Sequence, residues 1–200
     1  MIKAIIFDSG GVIVNQRLFF ERLNKIFQPK DRKKFWHEIN IKAIPLCKNQ
    51  ISEYEFWKRI ANSTDAVVTN EVPKNLWTKD YEKLTSINQD VLDIIKKLKQ
   101  KYKLVLVSNS IKSHEKINRR RGFFKLFDMV VLSHKVNLTK DNKDIFLLAT
   151  EKLKIKPEEC IFIDDVKDFV DIAKSTGMKG IIFKNSKKLK ASLRKFVKFH

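Results

Sequence analysis

Apolar and polar positions fall into blocks along this chain. The run Lys3-Ala4-Ile5-Ile6-Phe7 is short and largely apolar, and it stops at Asp8-Ser9-Gly10-Gly11, a turn signal. It predicts a buried strand followed by a sharp bend. From residue 16 to about residue 86 the spacing becomes helical. Phe19, Phe20, Leu23, Ile26 and Phe27 fall on one face, and Ser52 precedes Glu55 as in a capping box, with Tyr54, Phe56, Trp57 and Ile60 around it. Pro29, Pro45 and Pro73 divide this stretch into about four predicted helices, with no strand among them.

Strand and helix patterns alternate in the remainder. Val91, Ile94, Ile95 and Leu98 mark a helix, and Leu104-Val105-Leu106-Val107 marks a strand ending at Ser108-Asn109-Ser110. A helix carrying Arg119, Arg120 and Arg121 stops at Gly122, where the three cations complement the helix C-terminus. Met129-Val130-Val131-Leu132 is a third strand, and residues 142–154 form a helix. Cys160-Ile161-Phe162-Ile163 is a fourth strand, ending at Asp164-Asp165. Phe169, Ile172 and Ala173 lie on a helix that stops at Gly177. Gly180-Ile181-Ile182-Phe183 is a fifth strand, and Leu189, Leu193, Phe196 and Val197 mark a last, basic helix that packs its apolar stripe on the sheet.

Short apolar runs joined by helices predict an α/β fold, a doubly wound parallel sheet with helices on both faces. Residues 1–15 and 87–200 form this core, and residues 16–86 form a helical insertion after the first strand. Ligands of such sheets sit beyond the carboxyl ends of the strands. The residues expected there are Asp8, Ser108, Ser133 and the Asp164-Asp165 pair, with Lys140 in the loop after the third strand.

Composition narrows the class. Hydrophobic residues at 43% and charged residues at 32% of 200 exclude a disordered tail, and no apolar run is long enough to span a bilayer. The apolar N-terminus is too short for a secretory signal, and Cys47 and Cys160 lack metal-type spacing, so a reduced, cytoplasmic protein is expected. The formal charge is +19, from 42 basic and 23 acidic residues. Of the 42, 34 are lysines spread along the chain rather than clustered with arginine and aromatic residues, which points to a solvated basic surface more than to a nucleic-acid face. The histidines (His37, His114, His134, His200) show no ligand spacing and read as surface or loop residues, and Cys160 reads as a core thiol.

Each candidate admits two readings. Asp8 can be a solvated turn residue, or a nucleophile or metal ligand. Ser108 and Asn109 can cap a helix or bind a phosphoryl oxygen. Lys140 can be one surface lysine among many, or can neutralise a phosphate and keep a carboxylate ionised. Asp164 and Asp165 can cap a helix, or can share a hard cation such as Mg2+.

Taken in order, Ile5-Ile6-Phe7-Asp8-Ser9-Gly10-Gly11-Val12-Ile13, Val107-Ser108-Asn109, Leu132-Ser133 through Lys140, and Ile161-Phe162-Ile163-Asp164-Asp165 resemble the motifs of the haloacid dehalogenase-like (HAD) hydrolases. The segment from Asn49 to Trp57 is similar to the second helix of that group's small helical (C1-type) cap. The resemblance covers nearly the whole chain. It implies a Rossmann-like core with a cap at residues 16–86, and a phosphatase of small phosphorylated metabolites. It also implies that Asp8 forms an aspartyl-phosphate which water hydrolyses. Mg2+ is expected on Asp8, the Gly10 carbonyl and Asp165, with Asp164 helping directly or through water. Ser108 and Asn109 are expected to bind the phosphoryl group, and Lys140 to offset charge.

The chain departs from that pattern at two places. Gly10 stands where most phosphatases of the family carry a second aspartate, the acid for the leaving group, and Asp141 stands where a proline usually follows the lysine. Gly10 leaves three expectations: a slow phosphatase or one for good leaving groups, a phosphatase borrowing an acid from His37 or Glu38, or a chain that does something else. The alternatives are a catalytically impaired binding or regulatory protein and a 2-haloacid dehalogenase.

Overall fold

The computed structural model of the chain describes residues 1–63 and 74–198. Its strands are β1 (Ala4–Phe7), β2 (Val14–Asn15), β3 (Ser86–Ile87), β4 (Lys103–Ser108), β5 (Met129–Leu132), β6 (Cys160–Asp164) and β7 (Lys179–Ile182). Five of them form one sheet in the order β5-β4-β1-β6-β7, and every pairing is parallel. The chain winds from β1 outward through β4 to β5, then restarts on the other side of β1 with β6 and β7. That reversal opens a crevice at the carboxyl ends of the central strands. The register sets Phe7 opposite Leu106 and Ile163, so Asp8 and Asp164 leave the sheet side by side.

Residues between β1 and β4 fold as the expected helices: α1 (Arg17–Phe27), α2 (Arg32–Cys47), α3 (Glu53–Ser63) and α4 (Leu76–Leu84). They bury a cluster of their own, including Phe19, Leu23, Phe27, Phe35, Phe56, Trp57 and Ile60. The side chain of Asp31 caps α2 by accepting from the Lys34 N–H at 3.0 Å. Ser52 Oγ accepts from the Glu55 N–H at 3.1 Å, as the sequence predicts, but the Glu55 carboxylate bonds to Arg59 at 3.0 Å and completes no capping box.

Two expectations for this stretch are corrected. Pro45 does not separate helices but lies inside the last turn of α2, and its own carbonyl is used there: Gln50 N–H donates to it at 2.8 Å. A strand is present at the end of the stretch, since β2 and β3 form an antiparallel ribbon, Val14 opposite Ile87 and Asn15 opposite Ser86. Two residues per strand are too few to show a period. The ribbon ties together the two points where the chain leaves and rejoins the core. The expected break at Pro73 lies outside the described residues, as does His200.

The core helices are α5 (Gln89–Leu98), α6 (Lys112–Arg120), a one-turn α7 (Ser133–Val136), α8 (Asp144–Leu153), α9 (Lys167–Ser175) and α10 (Ser186–Leu193). Strand residues alternate between two layers. Ile5, Phe7, Leu104, Leu106, Ile161 and Ile163 pack with Val91, Ile94, Ile95 and Leu98 of α5 and with Leu189 and Leu193 of α10. Ala4, Ile6, Val105, Val107, Cys160 and Phe162 pack with Ile145, Phe146 and Ala149 of α8 and with Phe169, Val170 and Ala173 of α9. Burial on both faces is why the strands read as continuous apolar runs. Cys47 and Cys160 are free and buried.

The arginine triplet does more than complement the end of α6. Arg120 bonds Glu82 at 2.7 Å, and Arg121 donates to the Glu82 carbonyl, the Thr85 carbonyl and Thr85 Oγ1 at 3.1, 2.9 and 2.8 Å. The Arg121 guanidinium also lies over the Tyr81 ring, 5.5 Å from its centroid. These contacts fasten α6 to α4 beside the ribbon. Arg121→Ala should therefore cost about 1–3 kcal/mol in urea denaturation, and Arg121→Lys should restore little because an ammonium lacks the planar fork. Full recovery with lysine would contradict this role.

Candidate active site

β1 ends in a bend that aims Asp8 into the crevice. Asp8 N–H donates to the Ile163 carbonyl at 2.9 Å, and the N–H groups of Ile13 and Val14 fold back on the Ser9 carbonyl at 2.9 and 2.8 Å. Gly11 makes the bend possible: its φ is 78°, and a Cβ there would lie 2.3 Å from Asp165 Oδ2. The glycine thus lets the Asp165 carboxylate lie against the turn, next to Asp8.

Lys140 is the centre of the site. It is buried at 3% exposure, and its Nζ donates to Asp8 Oδ1 and to Asp164 Oδ2, each at 2.6 Å. The loop that delivers it is fixed by the Lys140 N–H donating to Asn109 Oδ1 at 3.0 Å, and by a turn in which Asn142 N–H meets the Thr139 carbonyl. With Asp141 in place of proline the lysine still reaches the strand tips. The Nζ also lies 4.9 Å from the centroid of the Phe169 ring. Asp164 Oδ1 accepts from the Val166 N–H at 2.8 Å, which fixes the other arm.

Carboxylate oxygens of Asp8, Asp164 and Asp165 lie within 4.8 Å of one another. Burial, reinforced by the Asp164 charge, pushes Asp8 up to about 7 despite Lys140 beside it. Asp165, on the open side, is pushed up to about 8 by removal from water, then by Asp164 and Asp8. Burial pulls Lys140 down, but Asp164 and Asp8 together hold it above its ordinary value. Three carboxylates around one ammonium leave an excess of negative charge. Oxygen donors at this spacing fit a hard divalent cation.

The structure thus brings Asp8, Lys140, Asp164 and Asp165 together, with Gly10 and Asn109 on the wall of the same cleft. Ser108 is buried at the tip of β4, its hydroxyl 3.4 Å from the Asn109 carbonyl, and it is not among the described residues of the cleft wall. Ser133 sits below the wall as a brace: its Oγ accepts from Ser110 N–H at 2.9 Å and lies 2.9 Å from the Cys47 carbonyl. Burial pushes the Cys47 thiol up to about 12, so the cysteine on the wall is a neutral one.

His37 and Glu38 do not face the cleft. Trp36, Asn40, Ala43 and Cys47 form the stripe of α2 that does, while His37 is exposed and Glu38 pairs with Lys42 at 3.1 Å. His114 and His134 are buried, contrary to the surface reading. His134 bridges the Ser110 carbonyl at 3.0 Å and Glu115 at 2.9 Å. His114 stacks on Tyr81, centroids 3.7 Å apart, and its Nε2 has no hydrogen-bond partner. Other wall residues missed by sequence reasoning are Phe20, Gln16, Ser110 and Trp77. The stretch holding α2 was expected to be helical, but helical spacing does not say which residues of a helix stay uncovered.

The chain belongs to the haloacid dehalogenase-like hydrolase family, whose model matches residues 2–174. It is 24% identical over 188 residues to a phosphorylated carbohydrates phosphatase of Thermotoga maritima, covering 90% of this chain and 84% of that one. It is 26% identical over 189 residues to a D-ribitol-5-phosphate phosphatase of Bacteroides thetaiotaomicron, covering 88% and 89%. A solved HAD family enzyme from Bacteroides thetaiotaomicron, in a magnesium complex, matches with a TM-score of 0.70 at 25% identity, over 96% of this chain and 98% of that one. Among the described residues no helix is long and apolar enough to cross a membrane.

Burial, with the nearby Arg121 and His134 adding to it, lowers His114 from 6.5 to about 3. The folded chain keeps the ring neutral while the unfolded chain protonates it below about 6.5, so stability falls as pH drops through that range. Wild type should lose up to roughly 1.4 kcal/mol per pH unit below about pH 6, relative to His114→Phe. Urea titrations of both proteins from pH 7 to about pH 4 check this, and parallel curves would contradict it.

Proposed function

We propose that this protein is a Mg2+-dependent phosphoric monoester hydrolase acting on a small phosphorylated metabolite. The observation that carries the reading is the buried bridge of Lys140 between Asp8 and Asp164, with Asp165 beside it at the mouth of the cleft. Asp8, Asp164 and Asp165, with the carbonyl of Gly10, would hold the cation. When bound, it would offset the charge of the phosphoryl oxygens and let the carboxylates ionise together. Names and a magnesium complex among the relatives support both substrate class and metal.

Asp8 is the nucleophile in this reading. One of its oxygens attacks phosphorus, the ester bond opposite breaks, and an aspartyl-phosphate forms. Water then attacks that phosphorus and returns the carboxylate. Lys140 holds Asp8 in line and keeps charge low as the dianion approaches. Ser108 and Asn109, at the tip of β4, bind phosphoryl oxygens, and the helices of residues 16–86 act as a cap that shapes the space for the leaving group. The crowding of three carboxylates weighs against a haloacid dehalogenase. Expulsion of halide from carbon gives a cation nothing to do, and without one the trio repels the substrate's carboxylate.

With saturating Mg2+, Asp8→Asn should lower turnover of phosphate monoesters by on the order of 10³–10⁶-fold without loss of fold. A wild type no faster than this variant across a broad panel of phosphorylated metabolites would contradict the catalytic reading. Mg2+ at about a hundred times its dissociation constant should add about 2.7 kcal/mol, a rise in Tm of several degrees, and Asp165→Asn should shrink that shift. An unchanged shift in Asp165→Asn would remove that residue from the metal site.

A further inference from the structure

The cleft is about 440 Å³, and its wall includes the rings of Phe20, Trp36, Trp77 and Phe169. Phe20 packs on Trp36 with ring centroids 4.5 Å apart, and both lie on the wall. Trp77 is stacked from within the helical block by Phe19 and Phe56, and His114 by Tyr81, so the half-buried rings of Phe20 and Trp36 are the ring surface this wall presents. Such a surface suits a flat ligand.

Outside the cation site, no described side chain of this wall titrates near neutral pH to serve a departing oxygen. When phosphorus moves to Asp8, the electron pair of the broken P–O bond stays on the leaving oxygen. An alkoxide needs a proton at that moment, and a positioned acid is worth about 10²–10⁴-fold. Gly10 has no side chain. The place a Cβ would point to is filled by the Gln16 carboxamide, its Nε2 3.1 Å and Oε1 3.3 Å away. An amide can donate a hydrogen bond but does not titrate in the working range. His114 is neutral, Lys140 is committed to Asp8 and Asp164, and His37 and Glu38 face elsewhere. Cys47, on the same wall, is a thiol that burial pushes up to about 12.

Resting on the phosphatase reading, we propose that the cleft takes phosphate monoesters of planar aromatic hydroxyls, whose anions leave without a proton from the protein. In balance, Asp8 Oδ bonds to phosphorus while the P–O(aryl) bond breaks. The aryloxide departs and collects a proton from water. A water molecule then adds to phosphorus as the P–O(Asp8) bond breaks, giving phosphate and the free carboxylate.

The test compares 4-nitrophenyl phosphate, phenyl phosphate and glycerol 1-phosphate in wild type and Gly10→Asp. Gly10 is not in the left-handed region and its would-be neighbour is the mobile end of Gln16, so the aspartate can be accommodated. Wild-type kcat/KM should fall steeply from the nitrophenyl ester to the alkyl ester, by more than about 10²-fold, and Gly10→Asp should narrow that ratio at least about tenfold. Trp36→Leu should raise KM for the aryl esters several-fold without weakening competitive inhibition by inorganic phosphate. Equal wild-type rates on alkyl and aryl esters would overturn this proposal and leave the phosphatase reading intact. No turnover of any ester by either protein would overturn both.

Discussion

One ammonium group holds this site together. Lys140 Nζ is buried between Asp8 at the end of β1 and Asp164 at the end of β6, 2.6 Å from each. An ammonium is removed from water here because two carboxylates meet it, and the ammonium between them offsets the repulsion of carboxylates that the sheet brings side by side. Such a bridge adds little net stability over an apolar packing, but losing one partner leaves buried charge unpaired. The arrangement therefore makes sense as chemistry that the fold supports, not as a fastening that supports the fold.

The sheet supplies the support. Parallel register places Phe7 opposite Ile163, so the next residue on each strand emerges at the same edge. Gly11 then turns the chain so that the Asp165 carboxylate can lie against it, and the Asn109 side chain holds the backbone of Lys140. Each of these contacts links residues far apart in sequence. The helical block closes over the same edge from α2 and α4, and the Arg120 and Arg121 contacts, the β2–β3 ribbon and the Ser133–Cys47 bond fix how it sits.

How much of this was legible follows from the range of the forces involved. The five core strands could be read because both of their faces are buried, which writes apolar runs into the sequence. The acidic doublet and Asp8 could be read because strand ends in a doubly wound sheet have a known place, while Lys140, in a loop, stood out only through the resemblance to the family's ordered motifs. The ribbon could not, since two residues carry no period. Pro45 misled because a proline in a last helical turn resembles a break. His114, Gln16 and Trp77 carried no local signal: their role depends on α1, α4 and α6 meeting over the cleft. Ser133 could be placed at a strand end, but its part as a brace and the burial of His134 could not be read, since they depend on bonds to Ser110, Glu115 and the end of α2.

The central claim is that Asp8, held by Lys140, becomes covalently phosphorylated during turnover. Hydroxylamine added during steady-state hydrolysis with Mg2+ intercepts an acyl phosphate and leaves a hydroxamate on the carboxyl that carried it. Peptide mass spectrometry should find that hydroxamate on Asp8, and only when substrate is present. Turnover that proceeds with Asp8 unmodified, or with the hydroxamate on another carboxylate, would contradict the account.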